Sequence, residues 1–345
     1  MSAMKAVAQK EAEGRAEETS RVSSDIAVTA STTNPGTPAS TKQTFLTRKR
    51  KIIIFIMVGV TVLALGLGLG IGLTRACPTS GAKDSSSTAT PSASGSSTAN
   101  ADVIQLSVGT TWDYPLGFSL STSNANASTV FYPVDLENTS ASTISGLKSA
   151  GHTIVCYFSA GSYEDYRADA DQFPASAIGN QLDGWPEQWL DIRNSDVRSI
   201  MAARIASAKD KGCVGVDADN IDGYTNDSGF DLTEADTVDY VRFLAETAHD
   251  IGLGYGLKNA GGIVDQVVDV AEWAINEECA EYEECADWAP FVDAGKPVFH
   301  VEYVDDDDAT TVSADKMAKA CAADGQEGFS SIVKHYSLDD WVVYC

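Results

Sequence analysis

Between residues 106 and 345, eight short apolar runs alternate with segments of helical periodicity, and this alternation leaves few folds open. The runs cover 111–116, 129–134, 153–159, 214–219, 254–258, 272–277, 297–303 and 329–334. Between them, Val197, Ile200, Met201, Ile205 and Ala208 share one helical face, ended by Gly212. Val241, Leu244, Ala245 and Ala248 share another, begun near Thr233 and ended near Gly252. Ile144 and Leu147 mark a shorter helix closed by Gly151. Eight strands with intervening helices in about 240 residues match an α/β fold of the (β/α)8 TIM-barrel type. The rival is an open doubly wound sheet. It usually carries a Gly-rich phosphate loop after its first strand, and none follows 111–116.

The preceding residues cannot build a core. Residues 1–51 are rich in Ser, Thr, Ala and Glu without apolar periodicity, which predicts a disordered tail. Residues 52–73 contain no charge and only Thr61 as a polar side chain. As a helix they would span roughly 33 Å, enough for a hydrocarbon core of about 30 Å. Arg48, Lys49, Arg50 and Lys51 flank one end, against Arg75 on the other. The excess of positive charge on the N-terminal side predicts a single-pass type II anchor in the cell membrane, with the tail cytoplasmic and the large domain extracellular. Residues 74–105, mostly Ser, Thr, Ala and Gly, read as a flexible stalk.

Charge divides at the same place. Residues 1–100 hold 11 Lys/Arg and 6 Asp/Glu, a net of +5, whereas residues 101–345 hold 13 and 43, a net of −30. Such a domain repels nucleic acid and attracts a cationic polymer. Three Asn-X-Ser/Thr triplets, at Asn126, Asn138 and Asn226, are candidate glycosylation sites on the outer side. Six cysteines lie there too, an even number that fits disulfides in an oxidising compartment. Cys279 with Cys285, and Cys321 with Cys345, are the preferred pairs, each stapling a loop or the terminus. Cys156 and Cys213 fall in or beside strands, and sequence leaves their state open between buried thiols and a further pair. Cys77 is left over.

The chemistry is legible in the residues that close the apolar runs. These are Asp135, then Tyr157 and Ser159, then Asp217, Asp219 and Asn220, then Lys258 and Asn259, then Asn276 and Glu277, and finally Glu302 and Tyr303. In a barrel all these ends meet at one mouth, where active sites of that fold sit. No His-Glu-x-x-His motif or Gly-x-Ser-x-Gly elbow is present, so neither a zinc peptidase nor a serine hydrolase is indicated. No metal or cofactor is expected. Paired carboxyl groups without these motifs suit glycosidic cleavage, in which one acid protonates the leaving oxygen and the other attacks or directs water. Asp219 and Glu277, two strands apart, are about 9–10 Å apart at the backbone. Side chains leaning inward favour the short separation of a retaining enzyme, with Asp219 as nucleophile and Glu277 as acid/base. Trp185, Trp189, Tyr157, Tyr163 and Tyr303 are candidate platforms for sugar rings.

Several segments, in order, carry a resemblance. They are Cys156-Tyr-Phe-Ser-Ala-Gly-Ser-Tyr-Glu164, Gly184-Trp-Pro, Trp189-Leu-Asp-Ile-Arg193, Lys211-Gly-Cys and Asp219-Asn-Ile-Asp-Gly-Tyr224. Gly256-Leu-Lys-Asn259, Asn276-Glu-Glu-Cys279 and Val301-Glu-Tyr303 complete the set. Over about residues 110–345 the chain resembles glycoside hydrolase family 114, the endo-α-1,4-polygalactosaminidases. The resemblance implies a (β/α)8 barrel that makes internal cuts in α-1,4-linked galactosamine polymers, with the catalytic acids falling on Asp219 and Glu277. Asp222 and Trp185, within these segments, join the residues expected to hold substrate. Many relatives read Glu-Pro-Asp-Asn where this chain reads Asp217-Ala218-Asp219-Asn220. The competing readings are a non-catalytic carbohydrate-binding or adhesion barrel, against which the retained acids speak, and a metal-dependent hydrolase.

Overall fold

A computed structural model of the chain describes residues 103–304 and 306–345. The tail 1–51, the span 52–73, Cys77 and nearly all of the stalk 74–105 lie outside the described residues. Among the described residues no helix is long and apolar enough to cross a membrane.

Eight strands form one sheet. Seven are parallel neighbours in the order β1 (Phe131–Asp135), β2 (Thr153–Ser159), β6 (Gly215–Asp219), β7 (Gly254–Lys258), β8 (Trp273–Glu277), β9 (Val298–Val304) and β10 (Ser330–His335). β11 (Val342–Tyr344) adds antiparallel to β10. The sheet is curled. Phe131 of β1 and Phe299 of β9 stack with centroids 4.3 Å apart, although four strands lie between them in the sheet. A flat sheet would hold those strands about 24 Å apart at the usual strand spacing. The barrel-like interior is filled by Trp112, Phe131, Trp273, Phe299 and their neighbours. Gly256 on β7 faces Trp273 so closely that a Cβ there would lie 2.0 Å from the indole nitrogen.

The segment 111–116 is not a regular strand. It bridges to β1 only at Trp112–Phe131, and it is β11 that pairs with the edge of β10 facing away from β9. Side chains make up the difference. The Trp112 indole donates to the Ser330 carbonyl at 2.7 Å, and Lys334 pairs with Asp113 at 2.8 Å.

Helices cover the outer face. α1 (Ala141–Ser149) starts on the Ser140 hydroxyl, which accepts from the Thr143 amide. α2 (Ser195–Lys211) starts on the Asn194 side chain and stops at Gly212, whose φ of 94° suits a residue without Cβ. α3 (Glu234–Asp250) carries a reciprocal capping box between Thr233 and Asp236. Both longer helices bury the faces expected from sequence. Between β2 and α2, β3 (Ser162–Tyr163), β4 (Ile178–Gln181) and β5 (Gln188–Leu190) make a small antiparallel sheet. Arg204 of α2 latches this insert, pairing with Asp169 at 2.7 Å and donating to the Ser159 carbonyl.

Three disulfides form. Cys279–Cys285 and Cys321–Cys345 pair as expected. Cys156 and Cys213 are not thiols but a third bridge, with Cα atoms 5.9 Å apart. Cys156 points from β2 toward the helix layer, where Cys213 enters the adjacent β6. This bridge closes a 57-residue separation, for which chain entropy gives about 4 kcal/mol. Replacing both cysteines by Ala is therefore expected to lower unfolding free energy by about 2–5 kcal/mol, read from denaturant midpoints. Asn126, Asn138 and Asn226 are all exposed.

Candidate active site

Alternation along β6 sends Asp217 and Asp219 into the interior and Ala218 outward. Asp219 accepts from the Tyr157 hydroxyl at 3.0 Å through Oδ2 and from the Asn220 amide at 2.8 Å through Oδ1. Across β7, Lys258 inserts its ammonium between two carboxylates, 3.0 Å from Asp219 Oδ2 and 2.8 Å from Glu277 Oε2. Glu277 also accepts from the Asn259 amide nitrogen at 3.1 Å and from the Tyr303 hydroxyl. Asp217 lies beneath, fully buried, taking one bond from Tyr114 while its Oδ1 has no partner.

Burial and charge sort these groups. Burial works against the Lys258 ammonium, yet Asp219, Glu277 and Asp217 drive its pKa up and keep it charged. Burial likewise disfavours ionised Glu277, but the Lys258 charge and the bonds from Lys258 and Tyr303 hold its carboxyl well below the usual range. Asp217 is pushed up to about 7, chiefly by burial. Asp222, on the turn after β6, is raised to about 6 by burial and by Asp219. Glu187 of the insert reaches about 8 through burial and the neighbouring Glu164, against a lowering bond from Ser162. Burial also raises Tyr114, Tyr157 and Tyr303 far above the ordinary phenol value, so all three stay hydroxyl donors.

The backbone at the mouth is strained. Asn220, Asn259, Ala260, Glu278 and Leu338 take positive φ between 51° and 63°. All follow β6, β7, β8 or β10 at one end of the sheet. Such conformations in non-glycine residues persist where the surroundings over-determine them, commonly at functional sites.

A family model described as Glycoside-hydrolase family GH114 matches residues 93–345. The chain belongs to glycoside hydrolase family 114. It is also similar to the crystal structure of Aspergillus fumigatus Ega3 in complex with galactosamine. Identity is 46%, the match covers 70% of this chain and 97% of that one, and the TM-score is 0.67. The glycoside hydrolase domain of PelA from Pseudomonas aeruginosa shares the fold at 17% identity. That match covers 68% of this chain and 97% of that one, with a TM-score of 0.50. No curated protein sequence matches the chain. It is a glycoside hydrolase.

In this family 114 enzyme the pocket gathers most of the residues singled out from sequence. Tyr157, Trp185, Trp189, Asp219, Asn220, Asp222, Lys258, Glu277 and Tyr303 all line it. Asp217 supports its floor, and Ser159 lies buried beneath Asn220, whose side chain it accepts from at 2.9 Å. Other expectations are corrected. Glu302 points away from the interior, because Tyr303 next to it on β9 points in. It pairs with His300 and Lys316 and accepts from the amides of Ala280 and Glu281. Asn276 is likewise on the outer face of β8, where it accepts from the Cys279 amide at 3.0 Å. Asp135 pairs with Arg167 at 2.9 Å and lines a neighbouring groove. Tyr163 packs edge-on against Phe173 rather than lining the pocket.

Asn259, a strand-end residue, lines the pocket as well, and so do Tyr114, Glu187 and Tyr336, which carried no assignment. Tyr114 follows Trp112 by two residues and shares its inward face, a signal present in the sequence. Glu187 sits in the insert, where no periodicity points to it. Among the described residues, the one cluster of metal-type donors is Cys279, Cys285 and His300. Both of its sulfurs are committed to a disulfide.

Proposed function

We propose that this enzyme makes internal cuts in α-1,4-linked galactosamine-containing polysaccharide with retention of configuration, using Asp219 as nucleophile and Glu277 as acid/base. The observation that carries this is the shared lysine. Its bonds of 3.0 and 2.8 Å cap the separation of the two carboxylate oxygens at about 5.8 Å. Retaining enzymes place their carboxyl groups about 5–5.5 Å apart, inverting ones about 6.5–9.5 Å. The substrate follows from charge. Asp219, Glu277, Asp222 and Glu187 line the pocket against Lys258 alone, and the similar Ega3 structure is a complex with galactosamine. The scaffold reads as a (β/α)8 barrel in which the irregular segment 111–116, bridged to β1 at Trp112–Phe131, takes the first-strand position. The anchor at 52–73 would hold it outside the cell membrane, restricting cutting to polymer near the surface. No comparable observation favours a non-catalytic adhesion barrel.

In the first step an Asp219 oxygen bonds to the anomeric carbon as the glycosidic bond breaks, and the leaving oxygen takes the Glu277 proton. In the second, Glu277 takes a proton from water, whose oxygen displaces Asp219. Burial alone favours protonated Glu277; Lys258 foremost, and Tyr303 with it, hold it ionised. A sugar oxygen that takes the place of the Tyr303 hydroxyl weakens that hold and shifts Glu277 toward its protonated form.

This has a direct consequence. Removing the hydroxyl with Tyr303→Phe raises the Glu277 pKa. An acid must be protonated to work, so the descending alkaline limb of the kcat profile should move to higher pH. Displacement of the ascending acid limb instead would make Glu277 the nucleophile. Proton NMR of the first-formed product tests retention: the α-anomer is expected, and initial β-anomer would overturn it.

A further inference from the structure

Two of the pocket carboxylates, Asp219 and Glu277, have both oxygens occupied. Asp219 and Glu277 share Lys258 and take further bonds from Tyr157, Asn259 and Tyr303. Glu187 accepts from Ser162. Asp222 has no cation partner among the described residues; its carboxylate accepts from its own backbone amide and meets the Asn226 side chain at a marginal 3.5 Å. It is nevertheless held rigidly. Its carbonyl accepts from Asn226 Nδ2 at 3.0 Å and from Thr225 Oγ1 at 2.9 Å. The following Gly223 is wedged so that a Cβ would lie 3.1 Å from Leu232 and 3.3 Å from Trp189. Half-buried carboxylates are normally paired, because desolvation disfavours the lone anion. A fixed, unpaired carboxylate on a substrate pocket is arranged for a cation that arrives with the substrate.

We propose that Asp222 is the specificity-determining residue that binds the free C2 ammonium of a galactosamine unit beside the scissile bond, so that N-acetylated units are rejected there. This rests on the reading of the pocket as a galactosamine site, and it specifies the acetylation state that site requires. An acetamido group brings no charge to Asp222 and would bury that anion against a neutral amide. Asp222 faces Asp219 from its own strand, Lys258 from β7 and Glu277 from β8, with Tyr224 on its own turn. The two acids repel it and raise its pKa; Lys258 lowers it, but is already bound to both acids. Because the Asp222 carboxyl titrates near 6, it is anionic above that pH and neutral below it. The sugar amine stays protonated as pH falls, so the preference should fade through that window.

The test is calorimetric titration of the full chain with galactosamine and with N-acetylgalactosamine, for the wild type, Asp222→Asn and, as a charge-matched control at the exposed end of α3, Asp250→Asn. The wild type should bind galactosamine about tenfold or more tightly at pH 7. Asp222→Asn should erase that margin with the N-acetyl sugar unchanged, and Asp250→Asn should retain it. A margin that survives Asp222→Asn overturns the proposal, as does equal weakening of both sugars or a wild type that binds neither. If Asp222→Asn does not fold, the wild type decides: its margin must shrink between pH 7.5 and 5, and a constant margin overturns the assignment. A wild type that shows the margin yet shortens no polymer would defeat the enzymatic reading and leave this one standing.

Discussion

Asp219→Asn is expected to lower kcat for polymer cleavage by about 10³-fold or more, with little change in fold. The amide matches the carboxylate in shape; its oxygen can still accept from the Asn220 backbone, while its NH2, in the place of Oδ2, can donate to the Tyr157 hydroxyl but no longer accepts from Lys258. What it loses is the charge that forms the bond to the anomeric carbon. The loss should therefore fall on kcat, with a KM change of only a few fold. An unaltered circular dichroism spectrum and melting curve would show that the fold is intact. Activity within tenfold of wild type would remove Asp219 from the reaction.

Lys258→Met should have the largest effect on stability. Lys258 is 1% exposed and holds Asp219 and Glu277 together, with Asp217 close beneath. Removing one partner of a buried charge cluster leaves uncompensated anions, at a cost of about 3–5 kcal/mol. The sign with pH is specific. In the wild type the Glu277 pKa lies below its unfolded value, so this group adds stability above the unfolded pKa and loses it as pH falls. Without the ammonium its native pKa rises above the unfolded value, and native stability then drops as pH climbs through that interval. The deficit of the variant should be greatest near neutral pH and smallest in acid. Denaturant unfolding at several pH values measures it, and a deficit independent of pH would show that Lys258 acts through packing alone.

Much of this was legible in the sequence, for physical reasons. Helices α2 and α3 announce themselves because each buries one face and begins at a capping side chain, so period and cap coincide. Seven of the eight apolar runs are strands, but their sequence does not say which way their residues point. β9 is buried along all seven residues, with the interior on one face and helices on the other. An apolar run of that kind shows no alternation. Glu302 and Tyr303 therefore look equivalent in sequence, although one anchors a helix and the other lines the pocket. The same blindness applies to Asn276 beside Glu277. Sequence does not settle Cys156–Cys213 because the pairing depends on β2 and β6 being neighbours through their outer faces. Glu187 reaches the pocket only because the insert folds into its own small sheet, and the composition of a loop does not reveal that.

The central claim is that the Asp219–Glu277 pair cuts an amine-bearing polysaccharide. The most direct measurement is the length distribution of deacetylated α-1,4-galactosaminan after incubation with the full chain, its Asp219→Asn variant and its Glu277→Gln variant, each with and without chelator. The account predicts rapid internal shortening by the wild type, unaffected by chelator, and none by either variant on the same timescale. Intact polymer after wild-type treatment, or equal shortening by Asp219→Asn, would contradict it.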